Sequence, residues 1–202
     1  CGWNDAERDQ HLTRPTAEAI ESALENKLKE LKGTAFEPQS ITFSGNGEPT
    51  LHPQFPEIID SVIQLRDTYC PKAVISVLTN GTTIGNEKVF NALKKIENNI
   101  IKLDGGTQDC IEAINLPNFK FDLDHYLEQL KRFEGALTIQ TLFLRGEHNG
   151  KTIDNTTEAE VTLWLEHLKA IRPKRVMMYV IERATPEENL EKLSKAELEA
   201  IA

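Results

Sequence analysis

The sequence has few cysteines, no long apolar run and too little positive charge to attract polyanions. Its three cysteines, an odd number, argue against the disulfide framework of a small secreted protein and favour a reducing, cytoplasmic setting. Its longest apolar runs, such as residues 74–78, are strand-sized and far short of the roughly 18 to 20 residues of a membrane span. We therefore expect a cytoplasmic protein with no segment in a bilayer.

The charge balance weighs against a nucleic-acid partner. The 202 residues carry 23 lysines and arginines against 32 aspartates and glutamates, a formal net charge of -9 at pH 7. A protein that collects phosphate groups through its overall field needs the opposite sign. Because a local basic patch would escape such a count, a nucleic-acid partner is disfavoured by charge and still possible.

One hydrophobic core accounts for a chain of this length and composition. Apolar residues make up 39% of the sequence, and no linker rich in proline, serine and glycine interrupts it. We predict a single domain over residues 1–202. Since the chain starts at Cys1 rather than at methionine, we expect a fragment, or a chain whose start is unseen.

Hydrophobic periodicity predicts an alternation of helices and strands. The strands lack clean polar alternation, which is typical of strands buried on both faces in a parallel sheet. Doubly wound sheets and (β/α) barrels both fit this α/β pattern. The predicted helices cover about 13–33, 55–69, 86–97, 122–133, 157–171 and a segment near 194, and the predicted strands cover 40–43, 73–78, 100–103, 137–144 and 175–181.

Two of the helices carry more specific predictions. Thr13 is the expected N-cap of the first helix, and Thr157 with Glu160 has the spacing of a capping box. In the predicted helix 157–171, we expect one face to be buried. It consists of Val161, Trp164, Leu165 and Leu168.

Polar or glycine-containing strings follow all five predicted strands. Barrels and open α/β sheets place their active sites at the carboxyl ends of strands, so we expect these groups to converge on one ligand. The strings are 44–50, Thr79-Asn80-Gly81, Lys102 with Asp104-Gly105-Gly106, Arg145-Gly146-Glu147 and Glu182-Arg183.

The string after the first strand is the most informative. Gly45 and Gly47 let the backbone turn sharply and expose N–H and C=O groups, while Glu48 offers an acceptor for a cationic group. Pro49 fixes the exit of the turn and biases Glu48 towards an extended conformation. We interpret this string as a binding edge.

Taken singly, the other strings have plainer interpretations. Thr79-Asn80-Gly81 is equally typical of a simple turn, and Asp104 could cap a helix that begins after Gly106. Arg145 and Glu182 could pair with each other at the rim. The plainer interpretation is favoured for three further residues, with His52 structural and Cys70 and Cys110 ordinary buried thiols.

Residues 44–51, S-G-N-G-E-P-T-L, resemble the Gly-rich, Glu-containing motif of radical S-adenosylmethionine (SAM) enzymes. The form is that of the branch with tRNA wyosine-synthesis enzymes and related iron–sulfur oxidoreductases. The resemblance implies a partial (β/α)6 TIM-like barrel of parallel strands, whose first strand is missing from the N-terminus of this chain. It also implies that Cys1 is the third cysteine of a C-x3-C-x2-C loop holding a [4Fe-4S] cluster.

The same resemblance implies roles for the strand-end residues. SAM would be cleaved reductively to a 5′-deoxyadenosyl radical that abstracts hydrogen from an unidentified substrate, with an electron donor such as flavodoxin or ferredoxin. Asn80 and Asp104 would contact the SAM carboxylate or ribose, and Arg145 would neutralise that carboxylate or a substrate anion. The methionine ammonium would be received by Ser44, Gly45, Asn46, Gly47 and Glu48.

Two rival functions come from other classes. One is a barrel without a cluster that serves as a binding or scaffold protein. The other is a phosphate-binding α/β enzyme in which the Gly-rich strings cradle phosphate at helix N-termini.

Overall fold

The computed structural model of the chain describes residues 14–44, 47–148, 150–182 and 189–202. Five residues of the sequence predictions therefore lie outside the described residues: Cys1, Thr13, Gly45, Asn46 and Arg183. The described residues up to Ile100 form one compact unit, and those from Ile101 onward form a second. The single domain over 1–202 stays a prediction.

The first unit alternates helices and strands. Its core between the first two helices contains the buried residues Leu28, Leu65, Cys70 and Ala73. Strands β1 and β2 are parallel, with Ser40 opposite Val74 and Phe43 opposite Val77. The elements are α1 (Ala17–Leu31), β1 (Ser40–Phe43), a 3-10 turn (Pro49–Leu51), α2 (Phe55–Tyr69), β2 (Val74–Thr79), α3 (Glu87–Leu93) and β3 (Asn98–Lys102), the last of which runs across the boundary at Ile100.

The second unit continues the alternation and adds short antiparallel strands. Strands β4 and β7 are parallel, with Thr138 opposite Arg175 and Leu142 opposite Tyr179. Strand β5 pairs antiparallel with both β6 and β8. The elements are α4 (Gln108–Asn115), α5 (Leu123–Lys131), β4 (Thr138–Leu142), β5 (Arg145–His148), β6 (Lys151–Asp154), α6 (Glu158–Ile171), β7 (Arg175–Tyr179), β8 (Leu190–Glu191) and α7 (Lys195–Ile201).

The sheet order confirms the predicted fold class. Five strands form one sheet in the order β1-β2-β3-β4-β7, the α/β arrangement expected of a partial TIM-like barrel. Strand β2 is largely buried along its length, as a parallel strand covered on both faces should be. The additional first strand stays a prediction. Among the described residues, no helix is long and apolar enough to cross a membrane.

One helix and three strands of the described residues were absent from the sequence prediction. Helix α4 has eight residues, and β5, β6 and β8 form a separate three-stranded sheet. Their strands have four residues or fewer and carry charged and glycine residues, so they show no apolar pattern of their own. Arg145-Gly146-Glu147, predicted as a strand-end loop, is thus part of strand β5.

Two helix-start predictions need correction. The N-cap of α1 is Thr16, whose hydroxyl accepts the Ala19 N–H, and not Thr13. Thr157 caps α6 as predicted, but the Glu160 carboxylate accepts hydrogen bonds from Gly106 and Thr107 instead of returning to the cap.

The buried face of α6 is narrower than its periodicity predicted. Trp164 is 2% exposed and anchors the helix, whereas Leu165 is 38% exposed. Val161 and Leu168 are half-buried.

Candidate functional site

The Glu48 carboxylate is the centre of a hydrogen-bonded cluster in the first unit. Glu48 is the N-cap of the 3-10 turn that follows β1, and its Oε1 accepts the Thr50 N–H at 3.1 Å. The same Oε1 accepts the hydroxyls of Thr50 at 2.5 Å and Thr79 at 2.6 Å. Oε2 accepts the backbone N–H of Asn80 at 2.7 Å. Glu48 therefore ties the loop after β1 to the carboxyl end of β2.

A second layer of contacts supports this cluster. The Thr83 hydroxyl donates to Thr50 Oγ1 at 2.5 Å, and the Gly81 N–H donates to Thr79 Oγ1 at 3.0 Å. The side-chain oxygen of Asn80 accepts the Thr82 N–H at 3.0 Å, which is the turn anticipated for Thr79-Asn80-Gly81. Asn80 therefore contacts Glu48 through its backbone N–H, while its side-chain oxygen serves the turn.

The loop that carries Glu48 is open at Gly47. Gly47 has a φ of +118°, a conformation that favours glycine, and a Cβ built there would meet nothing within 4 Å. Ser44 at the start of the loop is exposed, and Glu48 is half-buried. An open glycine backbone beside a carboxylate is rich in acceptors, so the described part of the loop fits a ligand that carries an ammonium group.

Asp104 is fully buried in the second unit, where it faces protein groups. Its Oδ2 lies 2.9 Å from the Lys102 ammonium, and its Oδ1 accepts the Leu142 N–H at 2.8 Å. The side chains of Lys102 and Asp104 are 13% and 0% exposed. Lys102 also donates to Asn115 Oδ1 at 3.2 Å. In this arrangement Lys102 is the more exposed member of the pair.

The electrostatics keep Lys102 charged. Burial acts to lower the pKa of Lys102, but the negative charge of Asp104 and its hydrogen bond to the ammonium, together with Tyr179, raise it overall. Burial raises the pKa of Tyr179, and Lys102 acts in the opposite direction. The site therefore presents a protonated lysine, suited to binding an oxygen and unsuited to acting as a nucleophile.

The strand end around Asp104 is closed by further hydrogen bonds. The Asn155 side-chain amide donates to the carbonyl oxygens of Asp104 at 2.8 Å and Leu142 at 2.7 Å. The hydroxyl of Thr141 donates to the Leu103 carbonyl at 2.8 Å. Helix α4 begins after Thr107, whose hydroxyl accepts the Cys110 N–H, so the alternative in which Asp104 caps this helix is wrong.

The glycines after Asp104 serve helix packing. The Glu160 carboxylate accepts the N–H groups of Gly106 at 2.8 Å and Thr107 at 3.1 Å and the Thr107 hydroxyl at 2.5 Å. A Cβ on Gly106 would lie 2.4 Å from the Glu160 carbonyl oxygen. These donors would have to leave Glu160 before they could bind a phosphate, which removes the geometric basis of the phosphate-binding rival at this loop.

Arg145 is engaged in two ion pairs. Its Nε lies 2.9 Å from Glu191 and its Nη2 lies 2.9 Å from Glu197. The hydrogen bonds of Glu191 and Glu197 raise the pKa of Arg145. The alternative pairing of Arg145 with Glu182 is wrong, because Glu182 pairs with Lys192 at 3.0 Å.

His52 is structural and Cys70 is a buried free thiol, as predicted, whereas Cys110 is only half-buried. His52 bonds through Nε2 to the Pro15 carbonyl at 2.9 Å and accepts the Gln54 N–H through Nδ1. Cys70 is buried and free, whereas Cys110 is free and half-buried. Burial and Glu160 raise the pKa of Cys110 to about 12. Within the described ranges, no group of three His, Cys, Asp or Glu side chains could hold a metal, and Cys1 lies outside them.

Four residues of these clusters had no assigned role in the sequence analysis. They are Thr50, Thr79, Thr83 and Lys102, which hold the carboxylates of Glu48 and Asp104 directly or through one another. Thr50 and Thr79 lie within two of the strings that follow predicted strands, so their position near the site could be predicted from the sequence. The sequence alone did not show that their hydroxyls face Glu48.

No family model matches the chain. It is 31% identical over 183 residues to a UPF0026 protein from Synechocystis sp., covering 88% of this chain and 61% of that protein. It is 27% identical over 163 residues to a protein named GTPase Obg from Brachyspira hyodysenteriae, covering 79% of this chain and 22% of that protein. The chain thus spans less than two thirds of either relative.

The fold is similar to that of a solved structure. A domain of a pyruvate-formate lyase-activating enzyme from Bacteroides vulgatus matches with a TM-score of 0.57 over 80% of this chain and 89% of that domain. At 19% sequence identity, this similarity concerns the fold. It agrees with the five-stranded parallel sheet described above.

Proposed function

We propose that this chain is the core of a radical SAM enzyme in which residues 44–48 receive the methionine end of SAM. The observation that carries the proposal is the Glu48 carboxylate, fixed by hydroxyl and backbone donors beside the open Gly47. This carboxylate lies after a parallel strand, where α/β enzymes bind their ligands. The sequence motif of the resemblance thus coincides with a built acceptor site.

The proposed cofactors follow from the same resemblance. Cys1 would supply one thiolate to a [4Fe-4S] cluster, with the other two thiolates preceding this chain. When bound and reduced by a donor such as flavodoxin or ferredoxin, the cluster supplies the electron that cleaves SAM to methionine and a 5′-deoxyadenosyl radical. Hydrogen abstraction from the substrate would follow.

The chain's own residues would bind and orient SAM. The Glu48 carboxylate accepts the methionine ammonium, and the Asn80 N–H keeps that carboxylate in place. Asp104 is fully buried, so we propose that its part is indirect, through the Lys102 ammonium that it keeps charged. Arg145 would bind an anion only in exchange for Glu191 or Glu197.

The motif and the net charge bear differently on the branch and on the substrate. The form of the motif favours the branch of tRNA wyosine-synthesis enzymes and related oxidoreductases, whereas the net charge of -9 disfavours a substrate recognised mainly through its phosphates. We therefore propose the chemistry and leave the substrate class unassigned.

Anaerobic reconstitution tests the proposal. The full-length protein that contains this chain is incubated with iron and sulfide, and then with dithionite and SAM. We expect the visible absorption of an iron–sulfur cluster and release of 5′-deoxyadenosine and methionine. An intact cluster without release of 5′-deoxyadenosine would reject the proposal.

Cysteine variants supply a matched control. Cys1→Ser should lose cluster absorption and bound iron, because one thiolate ligand is removed. Cys70→Ser replaces a buried free cysteine and should retain both. Equal iron content in Cys1→Ser and the parent protein would refute the role of Cys1.

A further inference from the structure

Three threonines from three segments of the first unit form a hydrogen-bonded cluster with the Glu48 carboxylate, two of them directly and Thr83 through Thr50. Thr50 belongs to the 3-10 turn after β1, Thr79 ends β2, and Thr83 precedes α3. Thr50 and Thr79 are each 3% exposed, and Thr83 is half-buried. We propose that this threonine cluster is a positioning device that presents Oε2 of Glu48 to the ammonium group of the ligand.

The acceptor capacity of the two carboxylate oxygens differs. Oε1 of Glu48 accepts the Thr50 N–H, the Thr50 hydroxyl and the Thr79 hydroxyl. A carboxylate oxygen offers about two lone pairs, so Oε1 has no capacity left for a ligand. Among the described residues, Oε2 accepts the Asn80 N–H alone. An incoming ammonium therefore finds its acceptor at Oε2.

The direction of the hydroxyl groups is determined by the contacts themselves. Each hydroxyl has one hydrogen to donate. Thr83 donates to Thr50, and Thr50 in turn donates to Glu48. Thr79 also donates to Glu48, while its oxygen accepts the Gly81 N–H. All three hydrogens thus point along paths that end at Oε1, which orients the carboxylate before a ligand arrives.

Such pre-orientation has a consequence for affinity. A carboxylate free to rotate must lose that freedom on binding, whereas a fixed one has lost it on folding. The hydroxyls thus strengthen ammonium binding without touching the ligand. If the cluster only stabilised the loop, its removal would weaken binding of every part of the ligand alike.

The test compares two ligands that differ in the amino-acid part, and it rests on the proposed function. SAM carries the ammonium, and 5′-methylthioadenosine has the adenosine part without it. Both dissociation constants are measured by equilibrium dialysis on the reconstituted full-length protein. The variants are Thr79→Val and Thr83→Val, which remove a hydroxyl at nearly constant shape, Thr79→Ser, which keeps it, and Thr82→Val, an exposed control.

We expect Thr79→Val to bind SAM about tenfold more weakly, the effect of one hydrogen bond to a charged group. Thr83→Val should show a smaller loss, and Thr79→Ser and Thr82→Val should match the parent protein. Binding of 5′-methylthioadenosine should be unchanged in all four. A variant with a lower melting temperature still tests the inference if it binds 5′-methylthioadenosine as the parent protein does, because that binding shows that it is folded.

Two outcomes would overturn the inference while leaving the proposed function intact. One is parent-like affinity for SAM in folded Thr79→Val and Thr83→Val. The other is an equal loss of affinity for SAM and 5′-methylthioadenosine, which would indicate a merely structural role. If the parent protein with an intact cluster binds no SAM, the proposed function fails and the inference fails with it.

Discussion

The acidic side chains Glu48 and Asp104 are each held by several protein donors. Glu48 accepts hydrogen bonds from Thr50, Thr79 and Asn80, while Asp104 is fully buried between Lys102 and the Leu142 N–H. A charged group away from water is costly unless it is paired and hydrogen-bonded. Each of these carboxylates therefore needs hydrogen-bond donors from neighbouring segments of the chain.

The Lys102–Asp104 pair yields a stability prediction. Asp104→Asn leaves the Lys102 ammonium buried without its counter-charge, so we expect the free energy of unfolding to fall by about 3 to 5 kcal/mol. The Asn side chain still accepts the Leu142 N–H, which confines the change to the charge. Urea denaturation followed by circular dichroism measures the loss.

Two comparisons isolate the pair. The double variant Lys102→Met with Asp104→Asn should recover part of the loss, because both charges are gone. Lys131→Met breaks the exposed pair with Glu128 and should change stability by only about 0 to 1 kcal/mol. Equal effects of Asp104→Asn and Lys131→Met would contradict the burial argument.

At the scale of elements, helix α6 is joined to the loop after β3 by close backbone packing. Glu160 binds the N–H groups of Gly106 and Thr107, and His167 Nε2 lies 2.7 Å from the Gly106 carbonyl oxygen. Trp164 on the same helix donates to the Thr141 hydroxyl at 3.1 Å. Gly106 is thus explained by a helix that leaves no room for a side chain at this position.

Gly106→Ala should destabilise the protein. The new Cβ would lie 2.4 Å from the Glu160 carbonyl oxygen and 2.8 Å from the Trp164 nitrogen, both backbone atoms of α6. Because the helix must shift, we expect a loss of about 1 to 3 kcal/mol in unfolding free energy. Gly105→Ala is the matched control, since its Cβ would meet Cys110 Sγ at 3.2 Å, a milder contact. A Gly105→Ala loss as large as that of Gly106→Ala would argue against this account.

Helix α7 contains the capping box of the described chain and gives a pH prediction. Hydrogen bonds from the Ser194 side chain and backbone, and then Arg145, lower the pKa of Glu197 from 4.5 to about 2. A carboxyl with a lowered pKa stabilises the folded state above its unfolded pKa. That contribution should be lost as the pH falls from 4.5 towards about 2.

Carbon-detected NMR titration of the Glu197 carboxyl measures this pKa directly. Ser194→Ala should move it back towards the ordinary range, because the Ser194 side chain is the largest cause of the shift. Titration of Glu197 in the ordinary range in the parent protein would show that the capping box does not form in solution.

At the scale of the whole molecule, the charge is negative and many lysines are already paired. The ion pairs of the described residues include Lys27–Glu30, Lys29–Glu25, Lys95–Asp60, Lys131–Glu128, Lys192–Glu182 and Lys195–Glu199. Paired lysines contribute little to a field that would attract a polyanion.

We expect the protein to pass through a heparin column at physiological ionic strength and to bind an anion exchanger at pH 7. The physical reason is the net charge of -9, which repels a polyanion. Elution volume at fixed salt is the measurement. Salt-dependent retention on heparin would indicate a basic patch and would favour a substrate that is recognised through its phosphates.

The sequence by itself determined the elements with strong periodicity. Strand β1 (Ser40–Phe43) and helix α2 (Phe55–Tyr69) have the predicted bounds, and the other predicted strands and helices appear within a few residues of theirs. Apolar spacing is a local property, so it can be recognised without knowing the neighbours. The string of glycines and glutamate that follows β1 could likewise be recognised from the sequence alone.

Only the tertiary structure decided what the polar side chains contact. Glu160 has capping-box spacing yet binds Gly106 and Thr107, and Arg145 at a predicted strand end pairs with Glu191 and Glu197. These partners lie dozens of residues away, and a polar group binds whichever donor or acceptor the fold brings near it. Short strands such as β5 and β8 depend on each other in the same way, because their hydrogen bonds come from pairing rather than from local pattern.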